Sequence, residues 1–325
     1  MALSRNIKPD RGLTTRMLMT GFFLVVLYAV LIGVLFIFIK SLVVILVIGF
    51  GLLFCQYFFS DKIAMYAMHA KEVTPEEAPE LHGVIDRLCA LADMPKPRVA
   101  IAQTDIPNAF ATGRSPKAAV VCATSGLLRR LDESEVEAVL AHEISHVAHR
   151  DVAVMTIASG LGMIAGLLTR VMFYSEIFGG GRSNNNNNNS SAAGIEMIVL
   201  LVSVVVYFVS FLLTMALSRY RELAADRSGA ILIGRPSQLA SALVKITGEI
   251  GRIPTKDLRA SEPFNAFFFV PAVSGQGAQD QSRGGGGGGG FSFGSLFRTH
   301  PTLERRLAQL DQLEQQLGQA GQTGR

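Results

Sequence analysis

His142-Glu143-Ile144-Ser145-His146 sets two imidazoles four residues apart with a carboxylate directly after the first, the H-E-x-x-H pattern of a helical zinc site. On a helix such positions differ by about 40° around the axis and roughly one turn in height, so both rings can meet at one ion. Glu143 falls at another angle, where its carboxylate can take a proton from water instead of holding the metal. The chemistry this points to is metal-assisted hydrolysis. Three fixed letters in five also arise by chance, as a polar stripe on an amphipathic helix, but such a stripe needs neither the glutamate nor a further ligand.

A catalytic zinc keeps three protein ligands and leaves one position for water, so a third donor must come from elsewhere in the chain. Glu222 and Asp226 stand four apart in Ser218-Arg219-Tyr220-Arg221-Glu222-Leu223-Ala224-Ala225-Asp226, on one face of an expected helix. Glu222 is assigned to the metal. Asp226 is assigned behind it, accepting the free N–H of a ligating histidine and fixing its tautomer. Two solvated helix charges are the plainer alternative. His149 lies seven residues after His142, on nearly the same face. Three ligands on one straight helix would spread over about 10 Å, too long for a shell of about 2 Å radius, so His149 is set aside.

The histidines need a helix under them. Asp132 followed by Glu135 has the form of a capping box, and Val136, Val139 and Leu140 then recur at helical spacing, which puts His142 in the third turn. Upstream, Thr74-Pro75-Glu76-Glu77 is expected to open a helix to about Leu91, ended by Pro95 and Pro97. Short β-like runs follow at 98–103 and 118–123, with Asn108-Ala109-Phe110 between them. Leu303, Leu307, Leu310, Leu313 and Leu317 mark an amphipathic helix over 301–317 that docks on the soluble part.

At 49% hydrophobic residues and mean hydropathy +0.35, the 325-residue chain is too apolar for an ordinary soluble two-domain protein. The excess sits in four runs, at 17–39, 42–59, 152–169 and 197–217. Each is close to or beyond the ~20 residues that cross a bilayer. The first two read as a transmembrane hairpin. A cleaved signal peptide does not suit the first, which is too long for an h-region, has no small-x-small cleavage site and is followed at once by a second span. For the last two, buried core helices are the alternative, although Ala158, Gly162 and Gly166 are spaced for close helix packing in lipid. If they span, His142 and His146 come just before one membrane helix and Glu222 just after the next, on the same membrane face.

Arg5, Lys8, Arg11 and Arg16 precede the first span, against Lys40 in the first turn. Arg219, Arg221 and Arg227 follow the fourth, against Arg170 and Arg182 around the preceding loop. This asymmetry places the N-terminus and the catalytic portion in the cytoplasm. The net charge of +4 borders the spans and forms no basic stripe with aromatics, which argues against nucleic acid and for the lipid bilayer as partner. Cys55, Cys89 and Cys122 are an odd count without C-x-x-C spacing, so neither a disulfide framework nor a cysteine zinc site is expected. The asparagine run 184–189 and the glycine run 284–290 are low-complexity stretches without expected fixed structure, the latter a passive linker or a flap.

His142-Glu143-Ile144-Ser145-His146 continues as Val147-Ala148-His149-Arg150-Asp151, and the Arg219-to-Asp226 motif follows after a long apolar segment. With Pro107-Asn108-Ala109-Phe110-Ala111-Thr112-Gly113 and Thr299-His300-Pro301-Thr302-Leu303-Glu304-Arg305-Arg306-Leu307 in the same order, the chain resembles the HtpX group of integral membrane zinc metalloproteases, bacterial relatives of the eukaryotic prenyl-protein protease. The resemblance spans nearly the whole chain. It implies endopeptidase activity on membrane or misfolded polypeptides in protein quality control and stress response, one Zn2+ per chain, and a multi-pass place in the bacterial inner membrane. It further implies that Asn108, Ala109 and Phe110 form an edge strand pairing with the substrate backbone; a plain turn and strand fits the same letters. His300 either donates to the oxyanion of the tetrahedral intermediate or orients the start of the last helix, and Arg306 shares that choice.

The expected fold is α+β, mostly α: a zincin-like, gluzincin-type catalytic domain with a small sheet, combined with about four transmembrane helices. Residues 1–16 form a cytoplasmic segment, and 17–59 a hairpin with spans 17–39 and 42–59. Residues 60–151 are the first catalytic part, 152–217 a transmembrane pair with spans 152–173 and 197–217, and 218–325 the second catalytic part. Two other functions stay open. One is a non-catalytic zinc-containing membrane scaffold, which a three-ligand site beside a placed glutamate disfavours. The other is a prenyl-protein (CAAX-type) endoprotease, whose relatives enclose a larger chamber with more spans than four.

Overall fold

Strand side chains alternate between the two faces of a sheet, and here both faces are covered. The computed structural model describes residues 11–39, 42–179, 189–252 and 300–323. Its strands are β1 (Ala70–Glu72), β2 (Arg98–Ala102), β3 (Ala109–Thr112) and β4 (Val120–Thr124), ordered β1-β2-β4-β3. β2 and β4 run parallel, and β1 and β3 lie antiparallel at the two edges. Val99, Ala109, Val121 and Ala123 join the main core, whereas Ala100, Ala102, Phe110, Val120 and Cys122 pack on the other face against Ala64, Met65 and Met68. β3 ends at Gly113, whose φ is +116° and where a Cβ would lie 2.5 Å from the Ala118 carbonyl oxygen. Only glycine fits that turn.

The helices are α1 (Arg11–Ile39), α2 (Leu42–Ala67), α3 (Pro79–Ala92), α4 (Ser125–Arg130), α5 (Glu133–Ala148), α6 (Asp151–Gly179), α7 (Asn189–Ile233), α8 (Pro236–Ile250) and α9 (Leu303–Thr323). Mostly helical, with one small mixed sheet among the described residues, the chain has the α+β fold its letters predict. α3 begins later than expected. Thr74 starts a turn in which its carbonyl accepts from the N–H of Glu77 and of Ala78, while its own N–H donates to the Glu77 carboxylate at 2.8 Å. Pro79, preset for a first helical turn, then opens the helix. α5 starts on the expected capping box: Asp132 accepts from the Glu135 N–H at 2.9 Å, and Glu135 accepts from the Asp132 N–H at 3.1 Å. Val136, Val139, Leu140 and Ile144 carry α5 into a core shared with Ile85 and Leu88 of α3, Leu239, Leu243 and Ile246 of α8, and Leu310 and Leu313 of α9.

The chain divides into two compact units. One comprises Met1–Leu13, Phe58–Ala153 and Ser218–Arg325, and holds the sheet and the core just described; the other comprises Thr14–Tyr57 and Val154–Leu217. The second is wholly helical where described, with Leu24, Leu31, Leu161, Ala165 and Val206 at its centre. In an apolar solvent close approach and interhelical hydrogen bonds replace the hydrophobic drive. Small residues give that approach: a Cβ on Gly160 would meet Leu53 at 2.2 Å, and one on Gly166 would meet the Tyr207 ring at 3.1 Å. Tyr28 donates to the Ile157 carbonyl at 2.6 Å, Gln56 to Ser159 at 2.8 Å and Thr214 to the Ala158 carbonyl at 3.2 Å. Phe22, Val25, Ile157, Ile198 and Val205 face outward.

Among the described residues three helices are long and apolar enough to cross a membrane, at Arg11–Gly33, Asp151–Arg170 and Met197–Ile233. The run 42–59 is helical as part of α2. Arg5, Lys8, Lys40, Arg182, Thr299, the glycine run and all but the last residue of the asparagine run lie outside the described residues.

Candidate metal centre

α5 carries His142 and His146 one turn apart, and α7 brings Glu222 and Asp226 to them. The backbones meet closely because α7 has a glycine at the crossing: a Cβ on Gly229 would lie 2.8 Å from the His142 backbone nitrogen. The two Nε2 atoms are 3.0 Å apart, with Glu222 Oε2 3.6 Å from that of His142 and Oε1 3.5 Å from that of His146. Bonds of about 2.0–2.1 Å to one tetrahedral ion require edges of about 3.3 Å. Each histidine faces a different Glu222 oxygen at near that spacing, and one donor atom from each of the three residues lies within 4.8 Å of the others.

Proton positions sharpen the point. His142 Nδ1 lies 2.9 Å from Asp226 Oδ1, and His146 Nδ1 pairs with Asp151 Oδ2. A carboxylate accepts only, so each Nδ1 carries a hydrogen, and when the ring is neutral each Nε2 presents a lone pair. Two lone pairs and a carboxylate then face one point, an arrangement that repels itself unless a cation is there. Burial opposes a positive charge on His142, yet hydrogen bonds to Asp226 and Glu222 outweigh it and hold its pKa above the usual 6.5. The pocket favours positive charge, and its donor set fits one small divalent metal ion.

Glu143 is 4% exposed and accepts from the Ala111 backbone. Burial raises its pKa above the usual 4.5, against the pull of His142 and His146. A carboxylate so raised suits proton transfer nearer neutrality. Behind the ligands, Arg306 of α9 grips Asp226 with two hydrogen bonds, Nε to Oδ2 at 2.7 Å and Nη2 to Oδ1 at 2.6 Å. Both residues are buried, at 2% and 0% exposure. His300 Nδ1 lies 3.4 Å from Glu222 Oε2, and Arg306 Nη1 3.9 Å from the same oxygen.

The family model of peptidase family M48 matches residues 75–314. The chain belongs to peptidase family M48. It is a membrane metalloprotease by that membership, its relatives and its apolar helices. Protease HtpX homolog 1 of Streptomyces coelicolor is 52% identical over 323 residues, covering 99% of this chain and all of that protein. The HtpX homolog of Moorella thermoacetica is 50% identical over 97% of this chain and 99% of its own, and HtpX homolog 2 of Methanosarcina mazei 46% identical over 97% and 100%. The crystal structure of Ste24p from S. mikatae is similar in fold, with TM-score 0.52 and 18% identity over 92% of this chain and 67% of that one.

In this M48 peptidase the residues singled out by spacing fall together: His142, Glu143, His146, Glu222 and Asp226 occupy one cluster, with His142, Glu143 and Asp226 buried and His146 and Glu222 partly exposed. His149 caps the end of α5, with Nε2 3.4 Å from Ser228 Oγ, away from the converging donors. Asn108 is buried at the head of β3, its N–H donating to Thr124 Oγ1 at 2.9 Å. Arg221, counted among charges flanking the fourth span, is instead buried at 5% exposure, its Nη2 2.5 Å from Asp151 Oδ2. Sequence reasoning missed Asp151, Arg221 and Gly229. Asp151 follows His146 by five residues, about 140° around an unbroken helix, so spacing hid it.

Proposed function

We propose that the chain is a membrane-embedded zinc-dependent endopeptidase that cleaves misfolded or damaged membrane proteins on the cytoplasmic side of the bacterial inner membrane, in protein quality control and stress response. The observation that carries this reading is the convergence of His142, His146 and Glu222 beside a buried Glu143. In this reading the three hold one Zn2+ per chain, and Asp226 keeps the proton on His142 Nδ1. When bound, the zinc supplies Lewis acidity at the point where the three donors meet. Glu143 takes a proton from the attacking water and returns it to the departing amine.

β3 supports the substrate assignment. The Thr124 N–H donates to the Asn108 carbonyl at 2.9 Å, so in an antiparallel ladder Phe110 and Thr112 also bond inward to β4, while Ala109 and Ala111 turn their peptide groups to the outer edge. Among the described residues no strand pairs with that edge. A peptide added there must be extended, which selects unfolded segments. The ligands adjoin candidate spans along the chain: α6 starts five residues after His146, and Glu222 lies on α7 itself. Arg219 and Arg227 remain as flanking charges favouring a cytoplasmic site.

The test uses the detergent-purified full chain, measuring zinc content and cleavage of an unfolded casein-like protein with and without chelator, beside a prenylated peptide. Wild type is expected to hold one zinc and to stop cleaving on chelation. Glu143→Gln keeps the zinc and loses roughly 100-fold or more in rate, and Glu222→Ala loses both. Cleavage indifferent to chelator, or a Glu143→Gln variant at wild-type rate, overturns the reading. Zinc without cleavage of either substrate points to a scaffold, and preference for the prenylated peptide to the CAAX-type activity.

A further inference from the structure

Each of the two histidines is backed by a buried carboxylate, and each carboxylate by a buried arginine. Behind His142 the pair is Asp226 and Arg306, anticipated in part from the four-residue spacing on α7. Behind His146 stands a second pair that no spacing rule suggests: Asp151 Oδ2 faces His146 Nδ1, and Arg221 Nη2 lies 2.5 Å from the same oxygen. Asp151 is 6% and Arg221 5% exposed, so neither charge is left to solvent.

The backbone is bent to make this contact. α5 ends at Ala148, Arg150 takes φ +56°, and α6 restarts at Asp151. A non-glycine residue in the left-handed region is strained. Here that break swings Asp151 back over the last turn of α5, where an unbroken helix would carry it away. Arg221 directly precedes Glu222, so one turn of α7 delivers both the third donor and the clamp on the far carboxylate.

We propose that Asp151, held by Arg221, is the positioning residue of His146: it keeps the hydrogen on Nδ1, aims Nε2 at the shared ion, and acts independently of the Asp226–Arg306 pair behind His142. The proposal rests on the zinc-protease reading above. Outer partners of ligating histidines typically tune metal affinity by 10–100-fold, which sets the size of the expected effect.

The test is a double-mutant cycle on zinc affinity, measured by competition with a chromogenic chelator on the full chain in detergent, with the melting temperature of the metal-free protein as fold control. Asp151→Asn is expected to weaken zinc binding about 10–100-fold. Arg221→Gln should weaken it too, the Asp151→Asn/Arg221→Gln double no further than Asp151→Asn alone, because both act through one carboxylate. Asp151→Asn/Asp226→Asn should show the product of the single effects. Metal-free Asp151→Asn should melt below the metal-free wild type, because Arg221 loses its buried partner, so the affinities are compared at temperatures where both proteins are folded. Arg221→Lys keeps the buried charge and serves if Asp151→Asn fails to fold; it should recover most of the affinity lost in Arg221→Gln. Affinity within twofold of wild type in Asp151→Asn or in Arg221→Gln overturns the proposal, as does a drop in metal-free melting with zinc affinity unchanged. A wild type that binds no zinc overturns the underlying reading instead.

Discussion

Glu143 shows at the scale of one residue how a catalytic requirement opposes stability. Its folded pKa lies above the ordinary 4.5 because burial strips its carboxylate of water. A raised carboxylate pKa means the fold binds the proton more tightly than the unfolded chain does, so the charged form destabilises at neutral pH, and the penalty fades as pH falls through the folded value and is gone below the unfolded one. Metal-free Glu143→Gln is therefore expected to melt higher than metal-free wild type at pH 7–8, with the gap closing toward pH 4; equal melting temperatures at pH 7–8 would count against a buried, raised Glu143. Asp226 and Arg306 are the opposite case, a fully formed pair whose loss leaves one charge stranded. Arg306→Gln is expected to cost about 3–5 kcal/mol in urea unfolding followed by circular dichroism. A cost under about 1 kcal/mol would mean that solvent reaches Asp226.

Elements decide whether these side chains meet at all. The crossing of α5 and α7 depends on Gly229, where an added methyl would press on the His142 backbone nitrogen at 2.8 Å. Backbone cannot swing aside as a flexible side chain can, so Gly229→Ala is expected to move α7 outward and draw Glu222 from the histidines. Zinc affinity should fall at least about tenfold, while circular dichroism keeps the helical signal; unchanged affinity would show that the helices absorb the methyl elsewhere. The start of α5 is a smaller lever. Asp132→Ala removes one half of the capping box and is expected to destabilise by about 1 kcal/mol. The same carboxyl sits below its ordinary pKa through hydrogen bonds from Ser134 and the Glu135 backbone, so its contribution is present above that ordinary value and is lost as pH falls.

At the scale of the whole molecule, the metal centre draws on segments far apart in the chain, all within one of the two units. α5, α7 and the start of α9 are joined there through Glu222, Asp226 and Arg306. An ion bound only by the folded arrangement stabilises it by mass action. Chelation is expected to speed hydrogen exchange in α5, in 218–233 and in 300–310, while the outward-facing apolar stretch of α1 in detergent stays as protected as before. Uniform loss of protection across both regions would show that the units unfold as one. The second unit's outward side chains and small-residue contacts predict a different sensitivity: replacing Gly160 by Leu, where Leu53 leaves no room, should destabilise the helical unit without changing zinc affinity.

Spacing along single elements carries information that survives without a structure. His142, Glu143 and His146 are legible because a helix has a fixed pitch, Glu222 and Asp226 for the same reason, the capping box at Asp132 because its partners are local, and the apolar runs because a bilayer has a fixed thickness. Tertiary structure alone decided the rest. Asp151 reaches His146 only through the left-handed break at Arg150, Arg221 faces inward only because α7 is oriented by the Gly229 crossing, and Arg306 meets Asp226 across 80 residues of chain. Those contacts join residues whose separation in sequence sets no angle between them, so they exist only once packing has chosen how one helix lies on another.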